Sequence, residues 1–281
     1  MSGSLLLLFV FLSAFLAPPL SRLLRMPVPV GELVIGLLLG HFLAQGVALP
    51  EILGFLADFG FLLLMFLAGL VVDFNLLRQL ESRHFVFYAL YVVGMFLGAG
   101  LLAGLLGVGL AQALILALVS IGLMVATLRD MGILGRAFAK RVLILGVLGE
   151  VASLFGLTAM EKAAHYQGLL SLLKEVGIIA LFFLLLFLAF RLAGLFLWWY
   201  PEVGRRLVYE EDPSAMGIRL SLALMFAAAV MSGLVGLESV LGAFLAGMIL
   251  SYFLQKKHDL EAKLSAMGYG FLIPIFFIRT G

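Results

Sequence analysis

The sequence of 281 residues contains no cysteine, and charged residues make up only 12% of it. The absence of cysteine excludes disulfides, thiolate metal sites and cysteine nucleophiles. No basic run is typical of a nucleic-acid surface, and no pair of the four histidines has metal-ligand spacing. Hydrophobic residues make up 64% of the chain, far above the usual fraction in soluble domains. The composition therefore predicts a polytopic membrane protein whose surroundings are the lipid bilayer, with no nucleic acid as a partner.

Apolar runs of about 20 residues recur along almost the whole chain, and each could cross roughly 30 Å of hydrocarbon as a helix. The alternating pattern of membrane barrel strands is missing, so helices are left as the way to satisfy the backbone in lipid. We therefore predict an all-α fold. Its ten membrane segments are residues 3–19, 28–46, 51–72, 84–107, 110–128, 140–160, 168–200, 214–233, 236–254 and 264–281.

Basic residues are concentrated in one set of loops, whereas the opposite set carries only Lys162 and Lys174. Because loops rich in Lys and Arg stay in the cytoplasm, this asymmetry predicts a cytoplasmic-membrane protein with its N-terminus outside. The residues of the basic set are Arg22, Arg25, Arg78, Arg83, Arg129, Arg136, Lys140, Arg141, Arg205, Arg206, Arg219, Lys256, Lys257 and Lys263.

A short pattern, Glu-x-Val-aliphatic-Gly, occurs at residues 32–36 and again at 238–242. In each case the next segment has a Phe-rich stretch that ends in glycine. From the charge distribution, the first copy starts at the cytoplasmic face and the second at the outer face. Copies that run in opposite directions are the signature of inverted repeats in secondary transporters.

This repeat predicts three parts of the chain. Residues 1–161 form the first repeat, 162–212 a long linker helix with a cytoplasmic loop, and 213–281 part of a second repeat. The counterparts of the fifth and sixth segments are not reached by residue 281, so the second repeat is incomplete. We expect about three further helices in the full architecture.

Two apolar segments have polar centres. Glu150 lies about ten residues into the segment 140–160, near the bilayer midplane, where an acidic group costs roughly 2.5–3.5 kcal/mol unless it faces a cavity or a partner. Either a proton or a cation would neutralise it, and their competition is the physical basis of exchange. A protonated, hydrogen-bonded structural glutamate is the alternative. Ser120 interrupts the segment 110–128, where a broken helix would offer carbonyl oxygens to a cation, although a serine often bonds its own backbone.

Other polar residues are weaker candidates. Ser153 lies three residues after Glu150, on nearly the same helix face. Arg279 lies inside an apolar run, where it could neutralise a buried acid or extend to the outer interface. Glu32 and Glu238 are predicted to cap helix starts. An interfacial structural role is the simplest interpretation of Asp58.

Four motifs can be read at residues 22–40 (RLLRMPVPVGELVIGLLLG), 66–73 (FLAGLVVD), 242–247 (GAFLAG) and 273–277 (IPIFF). Together they resemble bacterial monovalent cation/proton antiporters of the sodium/proton exchanger and potassium-efflux type, and the resemblance covers nearly the whole chain. It implies about twelve to thirteen helices, two crossing discontinuous helices, and a mobile core that moves like an elevator against a dimerisation domain in a homodimer. It implies a transported cation and proton, and no cofactor.

The resemblance also implies residue roles. Glu150 takes the place of the aspartate that binds ion and proton, and Ser120 matches the polar residue of the first discontinuous helix. The chain departs from the family pattern at Gly149, where an acidic or polar residue is frequent, at Ile121, a threonine elsewhere, and at Val71, a glutamate elsewhere. A single carboxylate implies electroneutral exchange.

We therefore predict exchange of sodium or potassium for protons, in pH homeostasis, with Glu150, Ser120 and Ser153 as the ion site and Arg279 as possible charge compensation. A sodium-coupled symporter of an organic anion also uses inverted repeats and would need its organic substrate for sodium flux. A third hypothesis is a non-transporting fragment or partner subunit of an antiporter. A membrane enzyme is disfavoured, because no Asp-rich pair, His-Glu-x-x-His or Gly-x-Gly-Asp motif occurs.

Overall fold

A computed structural model describes residues 3–42, 50–71, 82–109, 120–134, 215–253 and 258–281, with shorter pieces between 112 and 199. Its helices are α1 (Gly3–Leu23), α2 (Val28–Phe42), α3 (Glu51–Val71), α4 (Ser82–Leu106), α5 (Ile121–Asp130), α6 (Met216–Leu234), α7 (Ser239–Phe253), α8 (His258–Met267) and α9 (Ile273–Thr280). A π-helical turn, Gly268–Leu272, joins α8 to α9. Residues 141–146, 148–150 and 152–153 are also helical, and we call them the Glu150 segment.

Five helices are long and apolar enough to cross a membrane: Ser4–Leu23, Glu51–Val71, Val86–Leu106, Met216–Leu234 and Leu260–Thr280. Two shorter apolar helices are Val28–Phe42 and Ser239–Tyr252. The prediction of an all-helical membrane protein is confirmed for the described residues. The count of ten segments and the inverted repeat stay predictions, and most of the predicted segment 168–200 lies outside the described residues.

Two helix boundaries differ from the prediction for identifiable reasons. α1 continues through Pro18 and Pro19 to Leu23, although a proline usually ends a helix by removing a backbone donor. The two prolines lack the amides that would donate to the carbonyls of Ala14 and Phe15, and the helix ends one turn after them. The last membrane helix begins at His258 rather than at residue 264, because its polar first turns are invisible to a search for apolar runs.

α3 is the central helix of the described part. Every residue from Leu63 to Leu70 is buried, and a helix that is apolar all round belongs in the interior. α7, α9 and α5 all pack against it. Residues 66–70 of the motif FLAGLVVD therefore lie in the core.

Glycines set the distance between α3 and α7. A Cβ atom on Gly69 would collide with the carbonyl oxygen of Phe244, and one on Gly247 would collide with the carbonyl oxygen of Phe66. The two backbones are therefore in direct contact, as is typical of membrane helices that cross at small residues. The first part of the motif at 66–73, up to residue 70, and the motif at 242–247 are the two sides of this crossing.

The crossing makes Gly247 sensitive to one added methyl group. We expect Gly247→Ala to lower the melting temperature of the detergent-solubilised protein, since overpacking against backbone atoms costs about 1–3 kcal/mol. Gly98→Ala on α4 is the matched control, because nothing lies within 4 Å of the added Cβ there. Equal melting temperatures for the two variants would contradict the close crossing.

Candidate ion-binding site

The apolar run 110–128 is not one continuous helix in the structure. Ser120 has an extended backbone, with φ −106° and ψ 103°, and α5 begins at the next residue, Ile121. On the other side of the break, Ala117 lies in a turn, and its amide donates to the carbonyl of Ala113. The chain is therefore interrupted at the serine that the sequence singles out.

The Glu150 carboxylate lies at the N-terminus of α5. Its Oε2 accepts a hydrogen bond from the backbone N–H of Ile121 at 2.8 Å. The Oγ of Ser120 accepts a longer one from the N–H of Leu123 at 3.4 Å. The first amides of a helix have no intrahelical partner and carry the positive end of its dipole. The start of α5 therefore holds the Glu150 carboxyl group, and no basic side chain among the described residues contacts it there.

Ser153 contacts the chain on the other side of the break. Its buried hydroxyl donates to the carbonyl oxygen of Ala117 at 3.1 Å. Glu150 and Ser153 thus bind the two sides of the interruption, at Ile121 and Ala117. The structure brings together all three residues predicted for the ion site.

Small residues let these segments approach one another. Ile121 is fully buried. A Cβ on Gly122 would press on the side chains of Leu64 and Met65 in α3, and a Cβ on Gly146 would press on the side chain of Met124. The N-terminus of α5 is therefore fixed between the central helix and the Glu150 segment.

Glu238 is an acidic residue near this site that the sequence reasoning assigned only to capping. It directly precedes α7, as that prediction requires, and its side chain is exposed. In addition, it lies close enough to Glu150 for the two negative charges to repel one another. The shared Glu-x-Val-aliphatic-Gly pattern was the only signal in the sequence that marked this residue.

Arg279 has other partners than Glu150. Its Nη1 donates to Asp58 Oδ1 at 2.7 Å and to the carbonyl of Gly54 at 3.4 Å, so it joins α9 to α3. The Asp58 side chain is 74% exposed, and such exposed ion pairs contribute little to stability. Charge compensation of Glu150 by Arg279 has no contact to support it in the described part of the chain.

The capping role predicted for Glu32 is wrong. Glu32 is the fifth residue of α2 and only 4% exposed, so it lies beyond the first turn and within the protein. The cap comes instead from Asp130, whose Oδ2 accepts from the N–H of Val28 at 3.0 Å. A carboxyl group from a distant part of the chain takes the place that local sequence suggested for Glu32.

The arrangement around Glu150 suits small positive ions. Of its two carboxylate oxygens, Oε2 is engaged by an amide, and no described residue bonds to Oε1, which can accept a proton or bind a cation. The Ser120 hydroxyl lies at the same break, bound to the Leu123 amide, and Ca²⁺, Mg²⁺ and other hard cations prefer such oxygen ligands. Among the described residues, no three His, Asp or Glu side chains converge on a resident metal position.

Comparison with known proteins identifies the family of the chain. Residues 11–281 match the family model described as the transmembrane sodium/hydrogen exchanger. The chain is 28% identical to the putative Na(+)/H(+) antiporter YjbQ of Bacillus subtilis, over 98% of this chain and 46% of that protein. It is 29% identical to a Na(+)/H(+) antiporter of Enterococcus hirae, over 98% of this chain and 72% of that protein. It is 27% identical to the Na(+)/H(+)-K(+) antiporter GerN of Bacillus cereus, over 97% of this chain and 69% of that protein.

The chain thus spans about half the length of YjbQ and roughly 70% of the other two relatives. The family match extends over nearly every residue, and it includes the four motifs and both sides of the broken helix. The resemblance inferred from those motifs is confirmed: the chain belongs to the sodium/hydrogen exchanger family, which is a family of transporters rather than enzymes.

Proposed function

We propose that the protein exchanges a monovalent cation, sodium or potassium, for protons at Glu150. The observation that carries this proposal is the Glu150 carboxylate held by the Ile121 amide at the break before α5. The amide orients the carboxylate without neutralising it, because a neutral donor adds no positive charge. One unit of negative charge is left for the cargo, in a place where an unneutralised charge is costly.

Competition for this one charge gives exchange. A proton on Oε1 and a cation beside it each neutralise the carboxylate, so both loaded forms can move through the membrane at low electrostatic cost, whereas the empty, charged form moves poorly. One proton is then exchanged for one cation, and the cycle is electroneutral. Ser120 supplies a further oxygen to the cation, and Ser153 positions the Ala117 carbonyl at the edge of the site.

Two features support a cation as the cargo. The second carboxyl group, Glu238, lies close enough to Glu150 for their negative charges to repel one another. A cation between the two groups would relieve that repulsion. The relatives are also named as antiporters of Na(+), with K(+) in the name of GerN. We propose alternating access in a homodimer of the cytoplasmic membrane, with the N-terminus outside and residues 1–161 as the first repeat.

The first test removes the charge of Glu150. Glu150→Gln keeps an oxygen that can accept from Ile121, so it removes the ionisable group while the local hydrogen bond can remain. We expect cation-dependent proton flux into proteoliposomes to fall to the level of protein-free liposomes. Glu51→Gln, at the exposed first residue of α3, is the matched control and should leave the flux unchanged. Undiminished exchange by Glu150→Gln would refute the assignment.

The second test addresses stoichiometry. A membrane potential of 100 mV changes the free energy of transport by about 2.3 kcal/mol for each net charge moved. If one proton is exchanged for one sodium ion, a potential set by a gradient of a lipophilic anion should shift neither the direction nor the equilibrium point of sodium uptake. Sodium accumulation that follows the potential would show electrogenic exchange and would require a second carboxylate in the cycle.

The third test concerns Glu238. We expect Glu238→Gln to raise the apparent KM for the cation severalfold with little change in the maximal rate, because Glu238 adds negative potential but does not hold the cargo. Initial rates of sodium uptake over a range of sodium concentrations, at one pH, measure both constants. A lost maximal rate with an unchanged KM would instead place Glu238 in the transport step.

A further inference from the structure

A second carboxyl group lies at the other end of α5, in a cavity of about 380 Å³. The wall of the cavity runs from Arg22 and Asp130, which are exposed, inward to Glu32, which is only 4% exposed. A water molecule occupies about 30 Å³ of liquid, so the cavity has room for several. Glu32 is therefore buried in the protein and still reachable by water from the basic side of the chain.

Glu32 has no partner among the described residues. No hydrogen bond or ion pair joins its carboxyl group to another side chain or to the backbone there. Glutamate is almost never fully buried without a partner, because an unpaired buried charge costs far more than a neutral acid. The position therefore calls for a ligand that neutralises the group.

The charged and titratable groups around Glu32 either have partners other than Glu32 or are exposed. From α5, Arg129 Nη1 donates to Ser265 Oγ at 2.7 Å, and its guanidinium lies 4.6 Å from the centre of the Tyr269 ring. Asp130 accepts from the amide of Val28. From α1, Arg22 contributes an exposed guanidinium. α9 contributes only apolar residues, which are Ile273, Pro274 and Phe277.

Tyr269 contributes a second polar group in need of a partner. Its hydroxyl oxygen is buried and has no hydrogen-bond partner among the described residues, although its ring lies under Arg129. It stands in the π-helical turn between α8 and α9, and such turns occur frequently at functional sites. The wall of the cavity thus contains a carboxyl group and a phenol that no described residue satisfies.

The charge balance favours a proton over a metal ion as the ligand. Two guanidinium groups, of Arg22 and Arg129, stand in the same wall as the two carboxyl groups of Glu32 and Asp130. There is no excess negative charge to hold a metal ion. A proton binds covalently to one oxygen and needs no further ligand.

We propose that Glu32 is a second proton-binding site of this protein, separate from Glu150 and loaded from the cavity, which is large enough for water and reaches the exposed residues Arg22 and Asp130. α5 connects the two sites. Ala126, Arg129 and Asp130 at one end of α5 line the cavity, and Ile121 at the other end holds Glu150. At about 1.5 Å per residue, the ten residues of α5 separate the two by roughly 15 Å.

The proton on Glu32 changes the electrostatics of α5. The C-terminal end of a helix carries partial negative charge, so an anion next to it is unfavourable and its neutralisation is favourable. Protonation of Glu32 therefore stabilises the packing of α2 against the end of α5. Where exchange at Glu150 operates as proposed above, this proton sets part of the pH dependence of transport.

The proton site itself is tested without transport. Infrared spectra of the detergent-solubilised protein, recorded as the pH is raised, should contain a carboxylic-acid carbonyl band that disappears as Glu32 ionises. We expect this band to be absent in Glu32→Gln and present in Glu51→Gln, the exposed control. If Glu32→Gln proves unstable, Glu32→Asp serves instead, because a new carboxyl environment should move the band. A band unchanged in both variants would overturn the proposal.

The effect on transport is measured in the same variants. In Glu32→Gln a permanently neutral amide replaces the carboxyl group. Exchange should still occur, but it should lose the part of its pH dependence that coincides with the infrared titration. The midpoint of the pH profile should move by about one unit, which is tenfold in proton concentration. An unchanged pH profile, or loss of exchange at every pH, would overturn the coupling. The infrared result stands whether or not exchange at Glu150 is observed, so the two proposals fail separately.

Discussion

The hydrogen bond from the Ile121 amide to Glu150 is the contact on which the rest of the site depends. A carboxylate in the membrane interior needs a donor, and a helix N-terminus provides one without a full positive charge. An arginine in the same place would neutralise the carboxylate permanently and leave no charge for a cargo. Arg279, the basic residue nearest to such a role in the sequence, is engaged by Asp58 instead. In the exchange we propose, Glu150 therefore keeps its charge for an ion that can leave again.

That hydrogen bond requires α5 to begin at a fixed place. A helix of ten residues is marginal on its own, so its position has to come from its neighbours. At its start, Gly122 packs on the central helix. At its end, Arg129 binds Ser265, and Asp130 caps α2. Contacts at both ends thus fix α5 between the candidate ion site and the cavity next to Glu32.

The three residues of the candidate ion site could be singled out from the sequence because lipid penalises every polar group. Ser120, Glu150 and Ser153 stand out within apolar runs, and the structure places them around one break. The long membrane helices were predictable for the same reason. The capping role predicted for Glu32 was wrong because the local sequence is the same in two cases. A glutamate near a helix start can cap the helix in water, or it can face a cavity inside the protein. Its environment is decided by Asp130, which caps Val28 from 102 residues away, and local patterns contain no such information.

The two carboxyl groups at the ends of α5 show how one short helix can treat identical side chains differently. At its N-terminus an anion is favoured, and Glu150 accepts an amide hydrogen bond there. Glu32 lines the cavity at its C-terminal end, where an anion is disfavoured, and no described residue donates a hydrogen bond to it. In the exchange we propose, a cation can therefore compete with the proton at Glu150, whose ionised form accepts the amide of α5. At Glu32 the helix offers the ionised form no such support, so the two proposals place a transport site and a proton-only site at opposite ends of one helix.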